Sequence, residues 1–514
     1  MAAPAADAPA FVRALTADSN KAKRILARQH PEYIQRAGTG GPWRVLLDAF
    51  EGAGGFLDGR YLYEHPREDS ADFEDRQQQA RYHNYLDSLV DLYARMVFTK
   101  PIERESQDEG LNAWLERVDG RTLSMDGLMR RLLSMGMVLD HAGVLVDKTA
   151  DAPKDQTQAG EQAQVVASVF TALAITDWRF DGDALKAVKL LEAPPSTALT
   201  EDAEQTATCQ YLLWDTTGWA RFAEDGTFIG AGAVALETVP FIVFRPQPSY
   251  VSAMLGRPLV TAGLLQAIYN RDSEEDEVLR AQAFSVLTVS VGENGNVDKA
   301  KTDLGNVIGV AKALVVQGEI RYETPDQSVP GTIRENRQAL VREMYRAAHV
   351  RYQQDGLQRE SADAIRLNFS ELNEALQGIA KNLAQAEQDI VRAYFAWTTA
   401  TPDAAQAAFE KAQFKATYPD QFFETDVKAT IDAALEAVQL DLGASMNARV
   451  RKQVARQLDP DIPPDEWAVI EQEIEKLSAE PPPVMVPLDR GNQDQQAIDQ
   501  ANAQMTQEGA DVAA

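Results

Sequence analysis

One cysteine, Cys209, occurs in 514 residues. A lone thiol excludes an intrachain disulfide and any zinc site built on cysteines, and it suits folding in a reducing cytoplasm. Histidine is almost as scarce: His30, His65, His83, His141 and His349 are scattered, with no pair at metal-ligand spacing. No stretch approaches the roughly 18 apolar residues that cross a bilayer. The best, Leu132 to Val146, is interrupted by Asp140 and His141. The segment MAAPAADAPAFVRALTADSNK carries Asp7 and Asp18 and no unbroken apolar core behind a basic head, so it does not read as a secretory signal. The pattern G-x-x-x-x-G-K-[ST] is absent, which disfavours an ATP-driven motor, and so is the G-x-S-x-G nucleophile elbow. Gly38 to Gly41 and Gly52 to Gly55 lack the lysine and the strand-before, helix-after setting of a phosphate loop, and read as ordinary loops. With no compact set of reactive polar groups in view, the chain reads as a non-enzyme, with no cofactor and no metal site expected.

Positive charge is also in short supply. Lys and Arg number 50 against 78 Asp and Glu, a formal net charge of −28. A protein that grips nucleic acid by its phosphates carries a basic stripe, because its cations replace condensed counterions. Two readings stay open: a charge kept for solubility, and a surface that nucleic acid slides past without sticking. The acidic run Asp272, Glu274, Glu275, Asp276 and Glu277 is too dense for a defined metal site. On a helix it spreads around the circumference, so a solvated acidic surface is the default and a channel-facing wall in an assembly is the alternative. The balance reverses between Gly331 and Glu360, where Arg334, Arg337, Arg342, Arg346, Arg351 and Arg359 face four acids. That patch either touches phosphates transiently or pairs with acids of a neighbouring helix, and pairing is the preferred reading.

What is present is ordinary for a folded protein: 45% hydrophobic and 25% charged residues, in a length that suggests roughly three domain-sized units. Residues 1–10 read as a disordered arm. Helical patterning follows from Phe11 to Leu57, then an extended piece at Tyr61 to Tyr63. Spacings of three and four among Tyr82, Tyr85, Leu86, Leu89, Leu92, Tyr93 and Met96 predict one helix over Phe73 to Phe98. Another is expected from Ser124 to Met137, before a strand at Gly143 to Val146. Short β-type runs then fill the chain to Phe244, and Asp225-Gly226 marks a hairpin turn between Phe222 and Phe228. Helices are predicted for Pro258 to Ala283 and Gly331 to Val350, enclosing strand candidates at Phe284 to Val291 and Leu314 to Val316. The strongest period runs through Ile365, Phe369, Leu372, Leu376, Ile379, Leu383, Ala386, Ile390 and Trp397. A helix over Ser361 to Trp397 would be about 55 Å long and must pack on other helices or on another copy. Further helices are expected at Asp403 to Ala416, Asp426 to Leu442, Ser445 to Leu458 and Pro464 to Leu477. The Pro-, Gln- and Asp-rich tail from Ala479 reads as disordered.

Several stretches, in order, resemble tailed-bacteriophage portal proteins of a group described mostly as a domain of unknown function. They are Tyr61-Leu62-Tyr63-Glu64-His65-Pro66; the run RQQQARYHNYLDSLVDLYARMVFTKP from Arg76 to Pro101, with Ala94 where glycine is usual; Ile175-Thr176-Asp177-Trp178-Arg179 with Leu185 to Glu192; Val239-Pro240-Phe241; and Ser361-Ala362-Asp363-Ala364-Ile365-Arg366 leading into Leu383 to Trp397. The resemblance covers roughly residues 40 to 475, and the order of the pieces carries it more than any one of them.

The resemblance implies an α+β, mainly helical fold with wing, stem, clip and crown parts. By order, the wing is 11–256, with an antiparallel β unit at 143–245. The first stem helix is 258–283, the clip 284–330 and the second stem helix 331–350. The tunnel loop is 351–360, the long helix 361–397, the crown-side helices 398–478 and the tail 479–514. It implies a ring, commonly of twelve subunits, at a capsid vertex of the virion, assembled in the host cytoplasm. Double-stranded DNA is packaged and ejected through such a ring, and the implied partners are the terminase large subunit, the major capsid protein and a head–tail adaptor, with no membrane. Arg351, Gln353, Gln354, Asp355, Gly356, Gln358 and Arg359 would face the channel on the tunnel loop. The competing reading is another structural virion protein, a minor head protein or adaptor. A helical repeat scaffold is disfavoured by the lack of an internal period.

Overall fold

The computed structural model describes residues 8–66, 68–148, 164–192, 209–234, 236, 238–283, 286–291, 318–323, 328–350, 362–399, 401–420, 422, 443–458 and 464–479. They fall in two units, one ending at Phe422 and one beginning at Phe423. The fold is mixed α+β and mainly helical. The first unit opens with α1 (Ala10–Thr16), α2 (Ser19–Ala27), α3 (Pro31–Ala37) and α4 (Pro42–Glu51). Local chemistry starts each of the last three. The Asp18 carboxylate accepts from the backbone N–H of Asn20 and Lys21, and Pro31 and Pro42 sit at first helical positions, where a missing N–H costs nothing. Ala8 departs from the expected loose arm: it is buried with Val12, Leu15, Ala22 and Leu26 against Ala220 and Phe222.

The single helix predicted over Phe73 to Phe98 is two: α5 (Ser70–Gln79) and α6 (Tyr85–Val97). Side chains of the intervening stretch bind the end of α4. Tyr82 donates its hydroxyl to Ala49 O at 3.0 Å, and Asn84 Nδ2 donates to Phe50 O at 2.8 Å. Asn84 Oδ1 then caps α6 by accepting from Asp87 N. Tertiary hydrogen bonds override the local period here. Tyr61 to Tyr63 is a turn and not a strand, with Leu62 N donating to Gly59 O.

After β1 (Glu103–Glu105) and α7 (Glu109–Leu115), α8 (Met125–Leu139) is capped by Ser124 and stopped by Asp140 in the left-handed region at φ 77°. Asp140 and His141 are fully buried, and Trp43 Nε1 donates to Asp140 Oδ2 at 2.9 Å. The strands between Ala142 and Phe244 form two antiparallel sheets. In the first, β2 (Ala142–Lys148) lies between β3 (Val165–Thr171) and β9 (Phe241–Phe244); the second is a meander of β4 (Ile175–Asp181), β5 (Ala184–Glu192), β6 (Gln210–Asp215), β7 (Gly218–Ala223) and β8 (Phe228–Ala233). The expected turn joins β7 to β8, with Gly226 at φ 87°. Lys189 on β5 spans the gap to α2: its Nζ donates to Ile25 O at 3.2 Å and Leu26 O at 2.8 Å, and also to Arg28 O. A cation there satisfies carbonyls that the helix end leaves open. Burial lowers its pKa to about 8.

The chain continues through α9 (Ala262–Ala283), β10 (Val286–Val291), β11 (Gly318–Glu323), α10 (Ser328–Ala347), α11 (Ala362–Thr398), α12 (Pro402–Ala412) and β12 (Lys415–Thr417). Three expectations change. The helix expected from Pro258 starts at Ala262. The strand expected at Leu314 to Val316 lies outside the described residues, and the one that pairs with β10 is Gly318–Glu323. The helix expected to reach Ala416 ends at Ala412, whose carbonyl accepts from Gln107 N; three residues on, β12 pairs with β1. Asp426 to Leu442 and the tail from Glu480 lie outside the described residues. In the second unit, α13 (Ala444–Leu458) and α14 (Pro464–Ala479) match expectation.

The 37-residue helix α11 buries Leu372, Leu376, Ile379, Leu383 and Ile390, and in the same stripe Glu387, which is 0% exposed. Arg104 of β1 donates from Nε to Glu387 Oε1 at 2.5 Å and from Nη1 to Asp126 Oδ1 at 2.6 Å, and Tyr418 donates its hydroxyl to Glu387 Oε2 at 2.6 Å. Burial, with Glu387 beside it, holds the Tyr418 phenol protonated far above its usual range. Arg104→Met leaves Glu387 buried without its cation, which costs about 3–5 kcal/mol. Chemical denaturation should show that loss, and Glu387→Met added to Arg104→Met should recover part of it.

Candidate functional site: the paired helices and their β ribbon

Helices α9 and α10 flank the two-stranded antiparallel ribbon of β10 and β11, in which Val286 stands opposite Glu323 and Val291 opposite Gly318. The helices run antiparallel, because Asp272 pairs with Arg337 while Glu275, one turn further along α9, pairs with Arg334, one turn earlier on α10. Arg337 Nη1 lies 3.1 Å from Asp272 Oδ1, Arg337 Nε 3.2 Å from Glu275 Oε2, and Arg334 Nε 2.7 Å from Glu275 Oε1. Both carboxylates are buried, at 7% exposure. The acidic run is therefore not uniformly solvated. Asp272 and Glu275 point at α10, whereas Glu274 and Glu277 pair with Arg271 and Arg280 of their own helix. Burial raises the Asp272 pKa, and Arg337 opposes that rise.

Each helix is fixed to the rest of the first unit at the end away from the ribbon. On α9, Tyr269 donates its hydroxyl to Phe56 O at 3.0 Å, and Asn270 donates to Tyr61 O while accepting from Tyr63 N. The buried Arg76 binds Glu68 at 2.7 Å, Tyr63 O at 2.8 Å and Ser273 Oγ at 3.4 Å. On α10, the Ala348 carbonyl accepts from the buried Tyr93 hydroxyl at 2.5 Å. The helix stops there: His349 takes φ 51°, and Val350 N returns to Tyr345 O at 2.9 Å. That closure is a C-terminal stop made without glycine.

The chain leaving Val350 and re-entering at Ala362 carries Arg351, Gln353, Gln354, Asp355, Gly356, Gln358 and Arg359, all outside the described residues. Of the six arginines in the basic patch, Arg334 and Arg337 meet acids of α9, and Arg346 meets Glu343 of its own helix. The carboxylates that receive Arg334 and Arg337 were masked in sequence by the density of the run, and the contribution of Tyr93 by its place in a helical stripe. A spacing of three, 272 and 275 against 337 and 334, is the signal that finds them. Among the described residues, no three His, Cys, Asp or Glu side chains group to hold a metal ion, and no helix is long and apolar enough to cross a membrane.

No family model and no curated protein matches the chain. Among solved structures, it is similar to a chain of the virion of the native gene transfer agent (GTA) particle, at 11% identity and TM-score 0.37, over 84% of this chain and 98% of that one. It is also similar to a chain of the neck of the native GTA particle computed with C12 symmetry, at 11% identity and TM-score 0.40, over 78% and 98%. A chain of the neck of the empty GTA particle computed with C6 symmetry gives 11% identity and TM-score 0.36, over 83% and 98%.

Arg337→Ala leaves the buried Asp272 without its cation and Glu275 with Arg334 alone, and should cost about 3–5 kcal/mol. Arg346→Ala removes only an exposed pair with Glu343 and should leave stability nearly unchanged. Folded Asp272 has a raised pKa, so its charge works against folding once pH rises past the ordinary carboxylate range, and more so without Arg337. The Arg337→Ala deficit should therefore shrink on acidification, as denaturation curves at neutral and mildly acidic pH will show.

Proposed function

We propose that this chain is a portal-type subunit of a phage-like particle, a structural component of a ring through which double-stranded DNA is packaged and ejected. The observation that carries the reading is the element order: an ion-paired antiparallel helix pair holding a two-stranded ribbon, followed by a helix of 37 residues. In this reading α9 and α10 are the stem, and the ribbon is the clip that meets the terminase large subunit and later a head–tail adaptor. Residues 351–360 are the tunnel loop. The part before α9 is the wing, which faces the major capsid protein. The proposal rests on the ordered sequence motifs as well as on this geometry, and it assigns no catalysis to the chain.

Charge supports the reading. Duplex DNA carries about one negative charge per 1.7 Å of its axis. A ring whose every copy carries −28 repels it from all sides, and the stem arginines Arg334 and Arg337 are occupied by Glu275 and Asp272. DNA is thus kept moving, not bound.

Purified chain should assemble into a ring with a bore wide enough for duplex DNA, seen by negative-stain microscopy and light scattering. A monomer at every concentration and ionic strength sinks the proposal. Arg351→Ala with Arg359→Ala should leave assembly intact and alter packaging or retention of DNA in an in vitro packaging assay, because two cations on a channel loop, screened at physiological salt, would brush phosphates without gripping them. Normal packaging and retention by the double variant would remove the tunnel-loop assignment. The ribbon makes a further case. A lone pair of strands is marginal in water, so β10 and β11 should gain partners from neighbouring copies. Deleting Gly292 to Gly318 should leave the first unit folded by circular dichroism and weaken both ring formation and motor docking; full docking by the deletion variant would refute the clip.

A further inference from the structure

We infer that the helix pair of the second unit is a contact between copies of this chain, the basic helix α13 of one copy lying against the acidic helix α14 of the next. The inference rests on the ring reading above and names a surface that would hold neighbouring subunits together. Helix α13 carries Arg449, Arg451, Lys452 and Arg456 and no acid, whereas α14 carries Asp465, Glu466, Glu471, Glu473 and Glu475 with a single cation, Lys476. Inside one copy the two helices are joined by Lys452, whose Nζ lies 2.7 Å from both Glu471 Oε1 and Glu475 Oε1. Ala448 and Ile474 are buried. That inner contact uses one cation and two acids.

The outer faces keep the remainder. Arg449 on α13, and Glu466 and Glu473 on α14, are exposed and make no ion pair among the described residues. On α14, positions 466, 469, 473 and 477 recur at three and four residues, which places them on one side of the helix. Two of them are apolar and open to solvent, Val469 at 57% and Leu477 at 56% exposure. On α13, Met446 is 46% exposed one turn before Arg449. Beside it, Asn447 is buried and its Oδ1 has no hydrogen-bond partner among the described residues. Met446 thus stands beside Arg449 on α13, and Val469 and Leu477 beside Glu466 and Glu473 on α14, with Lys476 near the helix end; apolar side chains edged by predominantly opposite charges set partner choice between packed helices.

Complementarity selects the occupant. Nucleic acid is disfavoured, because the acidic helix adjoins the basic one and repels phosphates. A two-fold contact of α14 with α14 would set acid against acid. A head-to-tail contact of α13 with α14 satisfies both faces at once, and contacts of that kind close into rings.

The test uses the full-length chain at physiological salt, with assembly followed by mass photometry and helix content by circular dichroism. Glu466→Lys with Glu473→Lys should raise the concentration needed for half-assembly by about tenfold or more. Adding Arg449→Glu to the same chain should recover part of that loss, because every copy then carries both faces with their signs exchanged. A folding defect would not be rescued by a further substitution. Unchanged assembly of the Glu466→Lys/Glu473→Lys chain, with wild type forming rings, overturns this inference and leaves the ring reading standing. Wild type that stays monomeric overturns both. Arg449→Glu that alters retention of duplex DNA while assembly is unchanged assigns the basic helix to nucleic acid and also overturns it.

Discussion

Burial of one face of α11 is the constraint on which the first unit is organised. A helix of 37 residues with apolar side chains every three to four positions cannot stand in water, and its stripe is covered by α6, α8, α12 and strands of the three-stranded sheet. Elements separated by hundreds of residues therefore share one surface. Trp397, near the end of that helix, donates its indole N–H to Val146 O at 2.8 Å, so even the edge of the stripe is tied to β2. Placing Glu387 within the stripe adds specificity to this burial. A carboxylate without exposure tolerates only one arrangement of neighbours, the one that delivers Arg104 and Tyr418 to it. The pairing of β1 with β12 follows, since Arg104 lies on the first strand and Tyr418 just beyond the second.

The long helix, α8, and most strands of the β unit were legible because their signals are local: a sustained period, a Ser cap before α8, a glycine in the turn at Gly226. The split between α5 and α6 was not, because nothing in the stretch from Ala80 to Asn84 forbids helix; the side chains of Tyr82 and Asn84 choose partners on α4 instead. The β12 strand was hidden for the same reason, its partner lying more than three hundred residues earlier. Of the candidate site, the helix pair and the first strand of its ribbon were read from the pattern; the strand that pairs with it, Gly318–Glu323, was not. The burial of Asp272 and Glu275 was not, because a dense acidic run gives no indication of which members turn inward.

The two units use charge for different ends. In the first, opposite charges are sequestered between α9 and α10, where water is scarce and a broken pair is costly. In the second, Lys452 joins the two described helices through Glu471 and Glu475, while Arg449 on one helix and Glu466 and Glu473 on the other stand exposed. Sequestered pairs fix a shape; sorted exposed charges offer it to others. A net charge of −28 is thus compatible with a chain that makes specific contacts: Arg104, Arg334 and Arg337 each meet a buried carboxylate.

The ladder between α9 and α10 also determines how the pair responds to load. Sliding one helix past the other by a turn, about 5.4 Å, would carry Asp272 from Arg337 to Arg334 in one direction and strand Glu275 beyond both arginines; in the other it would carry Glu275 to Arg337 and strand Asp272 beside Val341. Either move leaves one buried carboxylate without a cation. The present register is the one that gives both an arginine, and the helices behave as a latch seated there. Tyr269 and Tyr93 clamp the far ends. A pull or push arriving at the ribbon is then carried into the body as tilting of a rigid rod, and not dissipated as slip between its two strands of helix.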